Sequence, residues 1–404
     1  MNKMTEKATV FFGSIQQGAE GAFAALPAKL DKIIGLLDFS TIEKRDKVAI
    51  KMHLGFDAGC QTVPVFFVRR IVKAVRQAGG WPFITDNPTA VYNAVDRGYT
   101  QETCGCPLIP ATGVKDGYVH SVDIGFGNVD KLEMSGVLHD ADVLIDLVHA
   151  KGHGCCGYAG AIKNIAIGGY SANSRWNKLH GIENSFNYWN AQKCTPEHAQ
   201  ALVSSCPYEA IKYDAEKHKL TLETAMCRNE LCFECLKADR EVECLQVKPE
   251  MFSSFVELMA ISAKKILETF DKKKQFFLNF ILEVAPHCDC MGMMQPCVVP
   301  DVGVVGSRDI AAIEQATIDL IDKAGIIMEA IPPYFKHANR DPNVDLHPFE
   351  RIWGSMKSPY LTPRFAEKHG LGTRNYELVE VMSPNEIGRM KPPQQTYERQ
   401  PSFF

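Results

Sequence analysis

Short apolar runs alternate with amphipathic segments through most of the chain. Branched and aromatic residues are concentrated at Ala8–Phe12, Val48–Leu54 and Trp81–Thr85, which predicts three buried strands. Between the last two, Pro64–Ala78 spaces its apolar side chains as a helix does, and a pair of glycines ends it. A strand, a helix and a strand in this order are typical of a parallel sheet covered by helices.

The same alternation returns in the second half of the chain. It predicts strands at Val143–Val148, Phe276–Val284, Val302–Val305 and Tyr376–Val381. It predicts long helices at Met251–Phe270 and Ile310–Ala324. We therefore predict an α/β fold with a mostly parallel sheet flanked by helices, formed by residues 1–185 and 251–385. Residues 386–404 contain prolines and glutamines and are expected to form a C-terminal extension.

Residues 186–250 interrupt this pattern and are predicted to be an inserted small cysteine-rich module. Their cysteines resemble two halves of a bacterial ferredoxin. The first half keeps Cys194 and Cys206, the latter before a proline, but lacks the two cysteines between them. The second half begins at Cys227 and reads C-x4-C-x2-C-x8-C. In a ferredoxin, three cysteines of one half and the last cysteine of the other bind the same cluster.

One complete ligand set survives in this ferredoxin-like module. A single 4Fe–4S cluster is predicted on Cys206, Cys227, Cys232 and Cys235. Cys194 and Cys244 would be the remaining ligands of a lost second cluster. Structural zinc bound by the last four cysteines of the module is an alternative, and a module without any metal is another.

Reactive side chains are concentrated in Ala150–Gly169, which reads AKGHGCCGYAGAIKNIAIGG and follows a predicted strand. We take as candidate catalytic residues Lys151, His153, Cys155, Cys156 and Lys163. The ordinary pKa of a histidine suits proton donation by His153, and the lysines would fix an anion and stabilise developing charge. The first N–H groups of a helix predicted from Ala159 offer another anion site. A tight structural turn is the alternative interpretation.

Polar residues near the ends of other strands complete the candidate pocket. The candidates for substrate binding are Lys51, His53, Asp86, Asn164 and His180. Binding residues collect at the carboxyl ends of parallel strands, so we expect these side chains to meet at one sheet edge. A small anionic substrate is the expected ligand.

A further cysteine pair follows the predicted strand Phe276–Val284. Cys288 and Cys290 lie in the sequence PHCDC. If this strand and Val143–Val148 are parallel neighbours, the loops after them meet at the same sheet edge. The two cysteines could then bind a second metal or cluster in the main domain, or act as thiols on the substrate.

Composition narrows the classes of partner. The net charge of −4 over 404 residues does not favour binding to nucleic acid or to an anionic membrane. The sequence shows neither a signal-peptide pattern nor an apolar run long enough to span a membrane, so a cytoplasmic location is expected. Fourteen cysteines in a reducing compartment indicate metal or redox chemistry rather than disulfides.

Several segments together resemble one family, the uncharacterised iron–sulfur-centre proteins built on domain of unknown function 362. The resembling segments are VAIKMHLGF, FITDNPTAVYNAVDRGY, DVLIDLVHAKGHGCCGYAGAIKNIAIGG, KLHGI, CPYEAI, FFLNFILEVAPHCDCMGMM, VVPDVGVVGSRDIAAIEQATIDLI and GLGTRNYELVEV. The resemblance implies an α/β domain with an inserted ferredoxin-like module, iron–sulfur binding and a redox role, but no substrate. Family members commonly keep two complete half-motifs. Their loop corresponding to Ala150–Gly169, the central loop of this chain, lacks the Cys155-Cys156 pair.

Three functions are compatible with these features. An iron–sulfur oxidoreductase would accept electrons at the module, from a redox partner protein, and reduce a small anion in the pocket. A carrier or maturation protein would use the same cysteines to hand on metal or a cluster. A zinc-stapled binding protein would have no redox role. The sequence has no dinucleotide-binding glycine motif, so neither NAD nor flavin is expected.

Overall fold

The computed structural model describes residues 7–18 and 24–383, and the predicted extension 386–404 lies outside them. The strands are β1 (Ala8–Ser14), β2 (Lys47–Met52), β3 (Trp81–Asp86), β4 (Leu108–Pro110), β5 (Val119–Phe126), β6 (Val129–Ser135), β7 (Val143–His149), β8 (Lys151–His153), β9 (Gly157–Ala159), β10 (Ile211–Asp214), β11 (Lys219–Leu222), β12 (Gln275–Ile281), β13 (Gly303–Ser307) and β14 (Tyr376–Glu380).

The α-helices of the same residues lie between these strands. They are α1 (Leu26–Leu37), α2 (Val65–Ala78), α3 (Pro88–Tyr92), α4 (Gln101–Cys104), α5 (Gly136–His139), α6 (Ala161–Gly168), α7 (Pro196–Ser205), α8 (Glu234–Ala238), α9 (Pro249–Leu267), α10 (Ile310–Ala324), α11 (Pro348–Trp353) and α12 (Leu361–Lys368). Among the described residues, no helix combines the length and apolar character needed to cross a lipid bilayer.

The main sheet has the strand order β14-β1-β13-β12-β7-β2-β3-β4. Its neighbours are parallel, except that β13 runs antiparallel to both β1 and β12. The α/β fold with a mostly parallel sheet flanked by helices is therefore confirmed.

Two apolar cores cover the two faces of this sheet. Alternate side chains of β7 point to opposite faces, so Leu144 belongs to one core while Val143 and Ile145 belong to the other. Burial on both faces explains why such strands read as continuous apolar runs. A third core lies within the cysteine-rich module, where the hairpin β10–β11 packs with α7.

Candidate functional site

A cavity of about 600 Å³ lies at the carboxyl edge of the parallel strands. Residues that follow β2, β3, β7 and β12 line it, and residues 223–226 of the cysteine-rich module contribute to its wall. Strands β7 and β12 are parallel neighbours. The expectation that the loops after them meet at one sheet edge is therefore confirmed.

Glycine makes this meeting possible. The Gly152 N–H donates to Ala285 O at 2.9 Å. A Cβ at Gly152 would lie 2.1 Å from Pro286 O, a distance that no side chain tolerates. At Gly157, which has φ +73°, a Cβ would lie 1.9 Å from Lys357 O. The central loop is therefore packed against two other segments through glycine backbone.

Lys163 contacts the thiols of the loop that follows β12 and contains the PHCDC sequence, called the second loop below. Its Nζ lies 3.3 Å from Cys288 Sγ and 4.0 Å from Cys290 Sγ, and all three residues are largely buried. Burial alone would raise the pKa of Cys288, but the hydrogen bond from Cys290 and the charge of Lys163 hold it well below its ordinary value. The pKa of Cys290 moves well above its ordinary value, first because of its hydrogen bond with Cys288. The thiolate form is therefore favoured at Cys288 and the thiol form at Cys290.

His153 lies between these thiols and the central loop. Its Nε2 is 3.8 Å from Cys290 Sγ, and its Nδ1 accepts a hydrogen bond of 3.2 Å from the Cys155 N–H. Burial and the nearby Lys163 lower the pKa of His153 well below its ordinary value. The imidazole is therefore neutral at pH 7, which differs from the expectation that His153 keeps an ordinary histidine pKa.

These residues include a group that could hold a metal ion. Ligand atoms of His153, Cys288 and Cys290 all lie within 4.8 Å of one another. Histidine and thiolates are ligands that zinc and other soft metals accept. Because Nδ1 of His153 accepts from a backbone N–H, the ring proton is assigned to Nε2. Binding of a metal through Nε2 would require that proton to leave.

The adjacent cysteines of the central loop differ in environment. Cys155 lines the cavity, and its Sγ is 3.6 Å from His180 Nδ1. Cys156 is fully buried, donates from Sγ to Tyr158 O at 3.0 Å and has a pKa well above the ordinary value, chiefly because of burial. Of the two, Cys155 is therefore the one placed to meet a ligand.

Lys51 lies in a buried network with its predicted neighbours. Its Nζ is 3.1 Å from Asp86 Oδ1 and 2.9 Å from Asn164 Oδ1. His53 Nδ1 lies 3.1 Å from the second oxygen of Asp86. The pKa of Asp86 falls far below its ordinary range because Lys51 and His53 outweigh the effect of burial. The predicted residues are thus brought together, but Lys51 already has a counterion.

Lys151 is neutralised in the same way by a residue that sequence reasoning did not select. Its Nζ lies 3.1 Å from Asp289 Oδ2, and His149 Nδ1 lies 3.2 Å from the same oxygen. Asp289 stands between the two cysteines of the PHCDC sequence, so this ion pair also fixes the second loop against β7.

The anion site expected at the start of α6 is occupied by a side chain of the protein itself, Glu314. The helix α6 begins at Ala161, not at Ala159, because Gly157–Ala159 pairs as β9 with β8. The Ile162 N–H of its first turn donates to Glu314 Oε1 at 2.7 Å, and Tyr158 donates to Oε2 at 2.7 Å. Burial raises the pKa of Glu314 to about 7. This helix start therefore binds Glu314 and not a ligand.

Arg175 is a cation that the candidate list missed. It lines the cavity, the residue is only 8% exposed, and its Nε has no hydrogen-bond partner among the described residues. A buried guanidinium with an unsatisfied N–H is costly unless a ligand supplies an acceptor. The sequence signal was only its place in a polar segment with His180.

The six cysteines of the module form two sets. The thiols of one set interact electrostatically with one another: Cys206, Cys227, Cys232 and Cys235. Burial raises the pKa of Cys235 to about 12, and charge on the other three thiols acts in the same direction. Cys194 and Cys244 are instead buried together in the core of the module, where each thiol affects the pKa of the other.

Comparisons with known proteins give a family but no activity. The lactate racemase apoprotein from Thermoanaerobacterium thermosaccharolyticum is similar with 13% identity and a TM-score of 0.29, over 68% of this chain and 50% of that chain. A protein from Thermotoga maritima is similar with 10% identity and a TM-score of 0.37, over 76% of this chain and 59% of that chain. The chain thus spans between half and three fifths of these structures.

Sequence comparison with curated proteins finds no significant match. The family described as domain of unknown function (DUF362) matches residues 48–319, well over half of the chain and including the central loop, the cysteine-rich module and the PHCDC sequence. This chain is therefore a member of the DUF362 family.

Proposed function

We propose that this protein is an iron–sulfur oxidoreductase that reduces a small anionic substrate in the cavity. One observation carries the proposal: Lys357 forms hydrogen bonds with both the four-cysteine site and the central loop. Its Nζ donates to the carbonyl oxygens of Gly154 at 2.7 Å, Thr224 at 2.5 Å and Cys227 at 2.8 Å. A cysteine of the proposed cluster is therefore joined to the cavity wall through one side chain.

The donor set of the module fits a cluster better than a single zinc ion. Thiolate ligands of one tetrahedral zinc lie about 3.8 Å apart, given a Zn–S bond of about 2.3 Å. Among the described residues, the groups with three or more ligand atoms within 4.8 Å of one another contain neither the four proposed cluster cysteines nor the set of the zinc alternative, Cys227, Cys232, Cys235 and Cys244. Four thiols that interact over a wider span suit a 4Fe–4S cluster, which would supply one electron at a time.

Arg175 and Lys163 support an anionic substrate. Both line the cavity, and after burial they are the groups that lower the pKa of His180 to about 4. Arg175 would bind the anionic group by donating a hydrogen bond from its Nε–H, which has no acceptor among the described residues. The apolar part of the wall, with Val148, Ile167 and Met226, would cover the rest of the molecule.

Cys288 and Cys290 are the proposed reducing groups. The Cys288 thiolate and the Cys290 thiol would together give two electrons and two protons, counting a proton taken up from solvent, to a reducible group of the substrate and form a disulfide. Two single-electron deliveries from the module and protons from solvent would restore the dithiol. Lys163 holds the thiolate form of Cys288 that begins this exchange.

Metal transfer is the second candidate function. The group of His153, Cys288 and Cys290 favours it, because two of these three ligands line the cavity and would leave a position open for exchange. A binding protein that is stabilised by zinc and has no redox chemistry is the third candidate function.

The first proposal, the oxidoreductase, also includes a redox partner protein and a cytoplasmic location.

Metal analysis of anaerobically purified protein tests the proposal. We expect about four irons and four acid-labile sulfides per chain, and an EPR signal after reduction by dithionite. Cys232→Ser should abolish this iron, whereas Cys297→Ser, at a cysteine outside the module, should retain it. Protein without iron, or iron unaffected by Cys232→Ser, would contradict the proposal. Reversible reduction without turnover of any anion would favour a carrier instead.

A further inference from the structure

The cysteine-rich module contains a second group of metal-binding side chains, separate from the proposed cluster. His198, Asp239 and Cys244 place ligand atoms within 4.8 Å of one another. His198 Nε2 lies 2.8 Å from Asp239 Oδ1, and Cys244 Sγ lies 3.1 Å from the same oxygen. Cys194 is the candidate for a fourth ligand, since its buried thiol interacts with that of Cys244.

We propose that these four side chains bind one zinc ion. Two thiolates, one imidazole and one carboxylate form a donor set that tetrahedral zinc accepts. The side chains of His198 and Asp239 are 16% and 4% exposed, and both cysteines are buried, so the site is closed as structural zinc sites are. This site is independent of the proposed oxidoreductase activity.

The surroundings orient the ligands. Asp239 accepts a hydrogen bond of 2.7 Å from the Leu245 N–H on Oδ2, and a metal would replace the contacts that Oδ1 makes with His198 and Cys244. His198 lies in the first turn of α7, and Thr195 caps that helix by accepting from the His198 N–H at 3.2 Å. The ligands therefore come from fixed backbone at both ends of the module.

The cysteines that are missing from the first half of the module explain why a single ion would replace a cluster here. Two of the cysteines that a ferredoxin would use are missing between Cys194 and Cys206, so a four-thiolate cluster lacks half of its ligands. His198 and Asp239 supply two other donors at the same place. Zinc would staple α7 to the segment after α8 and stabilise the module without redox chemistry.

Zinc and iron are measured together in the full-length protein. We expect about one zinc per chain in addition to the cluster iron. His198→Ala and Asp239→Asn should lower zinc at least fivefold and leave iron and sulfide unchanged. Cys232→Ser should lose iron and keep zinc, which separates this proposal from the proposed function. The matched control is His218→Ala, a histidine of the same module that is hydrogen-bonded to Tyr213.

Cobalt provides a second readout in case a variant fails to fold. Chelator-treated wild-type protein titrated with Co²⁺ should bind one equivalent with tetrahedral d–d bands and thiolate charge-transfer bands. Cys194→Ser should weaken the charge-transfer bands. Zinc below one tenth of an equivalent in wild-type protein, a Cys194–Cys244 disulfide without zinc, or zinc that persists in His198→Ala would overturn the proposal.

Discussion

At the scale of single residues, Lys163 is one of the groups that lower the pKa of Cys288, after its hydrogen bond with Cys290. Its ammonium lies 3.3 Å from the thiol in a buried site, where a charge interaction is little screened. In Lys163→Met we expect the pKa of Cys288 to rise by at least about one unit, and the thiolate at pH 7 to fall accordingly.

Thiolate absorbance during acid titration measures this pKa. The signal of Cys288 is isolated as the difference between each protein and the same protein carrying Cys288→Ser. Lys193→Met, at an exposed lysine, is the control and should leave the pKa of Cys288 unchanged. An unchanged titration in Lys163→Met would show that Lys163 does not stabilise the thiolate.

Arg175 is the residue whose role depends most on the anionic-substrate proposal. With inorganic phosphate as the probe, we expect Arg175→Met to weaken binding at least about tenfold, since a guanidinium–anion hydrogen bond contributes roughly 1.5–3 kcal/mol. Calorimetric titration of the wild type and the variant measures the change. Arg240→Met, at an exposed arginine of the module, should bind phosphate as the wild type does. Equal affinities in all three proteins would remove Arg175 from the site.

Sequence reasoning at this scale finds the kinds of residue but not their partners. His153, Cys155, Lys163 and Cys290 all line the predicted cavity. Lys51 and Lys151 look equally suited to an anion until the fold gives each a carboxylate. What distinguishes Arg175 is a missing partner, and only the folded chain shows that.

At the scale of the elements, the start of α6 depends on a buried carboxyl from α10. The ordinary pKa of glutamate is about 4.5, and burial raises that of Glu314 to about 7 in the folded protein. Between these values the native state holds a proton that the unfolded state has lost. The contribution of Glu314 to stability is therefore complete below about pH 4.5 and is lost as the pH rises through about 7.

Glu314→Gln should remove this pH dependence, because an amide keeps the hydrogen bond to the Ile162 N–H without titrating. The free energy of unfolding of the wild type, relative to the variant, should fall by about 3 kcal/mol between pH 4.5 and pH 8. Urea unfolding at a series of pH values measures it. Glu329→Gln, at an exposed glutamate, should follow the wild type. A constant difference between wild type and Glu314→Gln would contradict the assignment.

Buried strands were the predictable elements. β2, β3, β7 and β12 are almost entirely buried because both sheet faces are covered, and apolar residues occupy most of their positions. The hairpin β5–β6 was not predicted, because β5 is only half-buried and alternates polar with apolar residues. The reversed direction of β13 has no signal in its composition, since an apolar run reads the same in either direction.

At the scale of the whole molecule, Lys357 connects the cysteine-rich module to the loop at Gly154 between β8 and β9. It is fully buried, and burial lowers its pKa to about 7. Lys357→Met leaves the carbonyls of Gly154, Thr224 and Cys227 without this donor but also relieves the cost of burying a charge. We therefore expect only about 1 kcal/mol of lost global stability, because the two effects partly cancel.

The local effect should be much larger than the global one, and it distinguishes a connecting role from a general packing role. In Lys357→Met, amide hydrogen exchange in residues 223–227 should accelerate at least about tenfold, while α10 stays protected, because opening at this contact no longer breaks three hydrogen bonds. Lys336→Met, at an exposed lysine, should exchange as the wild type does. If the proposed electron path is right, the variant should keep its iron and lose reduction of the cavity thiols by the module. Uniform acceleration across the chain would instead make Lys357 a residue of the general core.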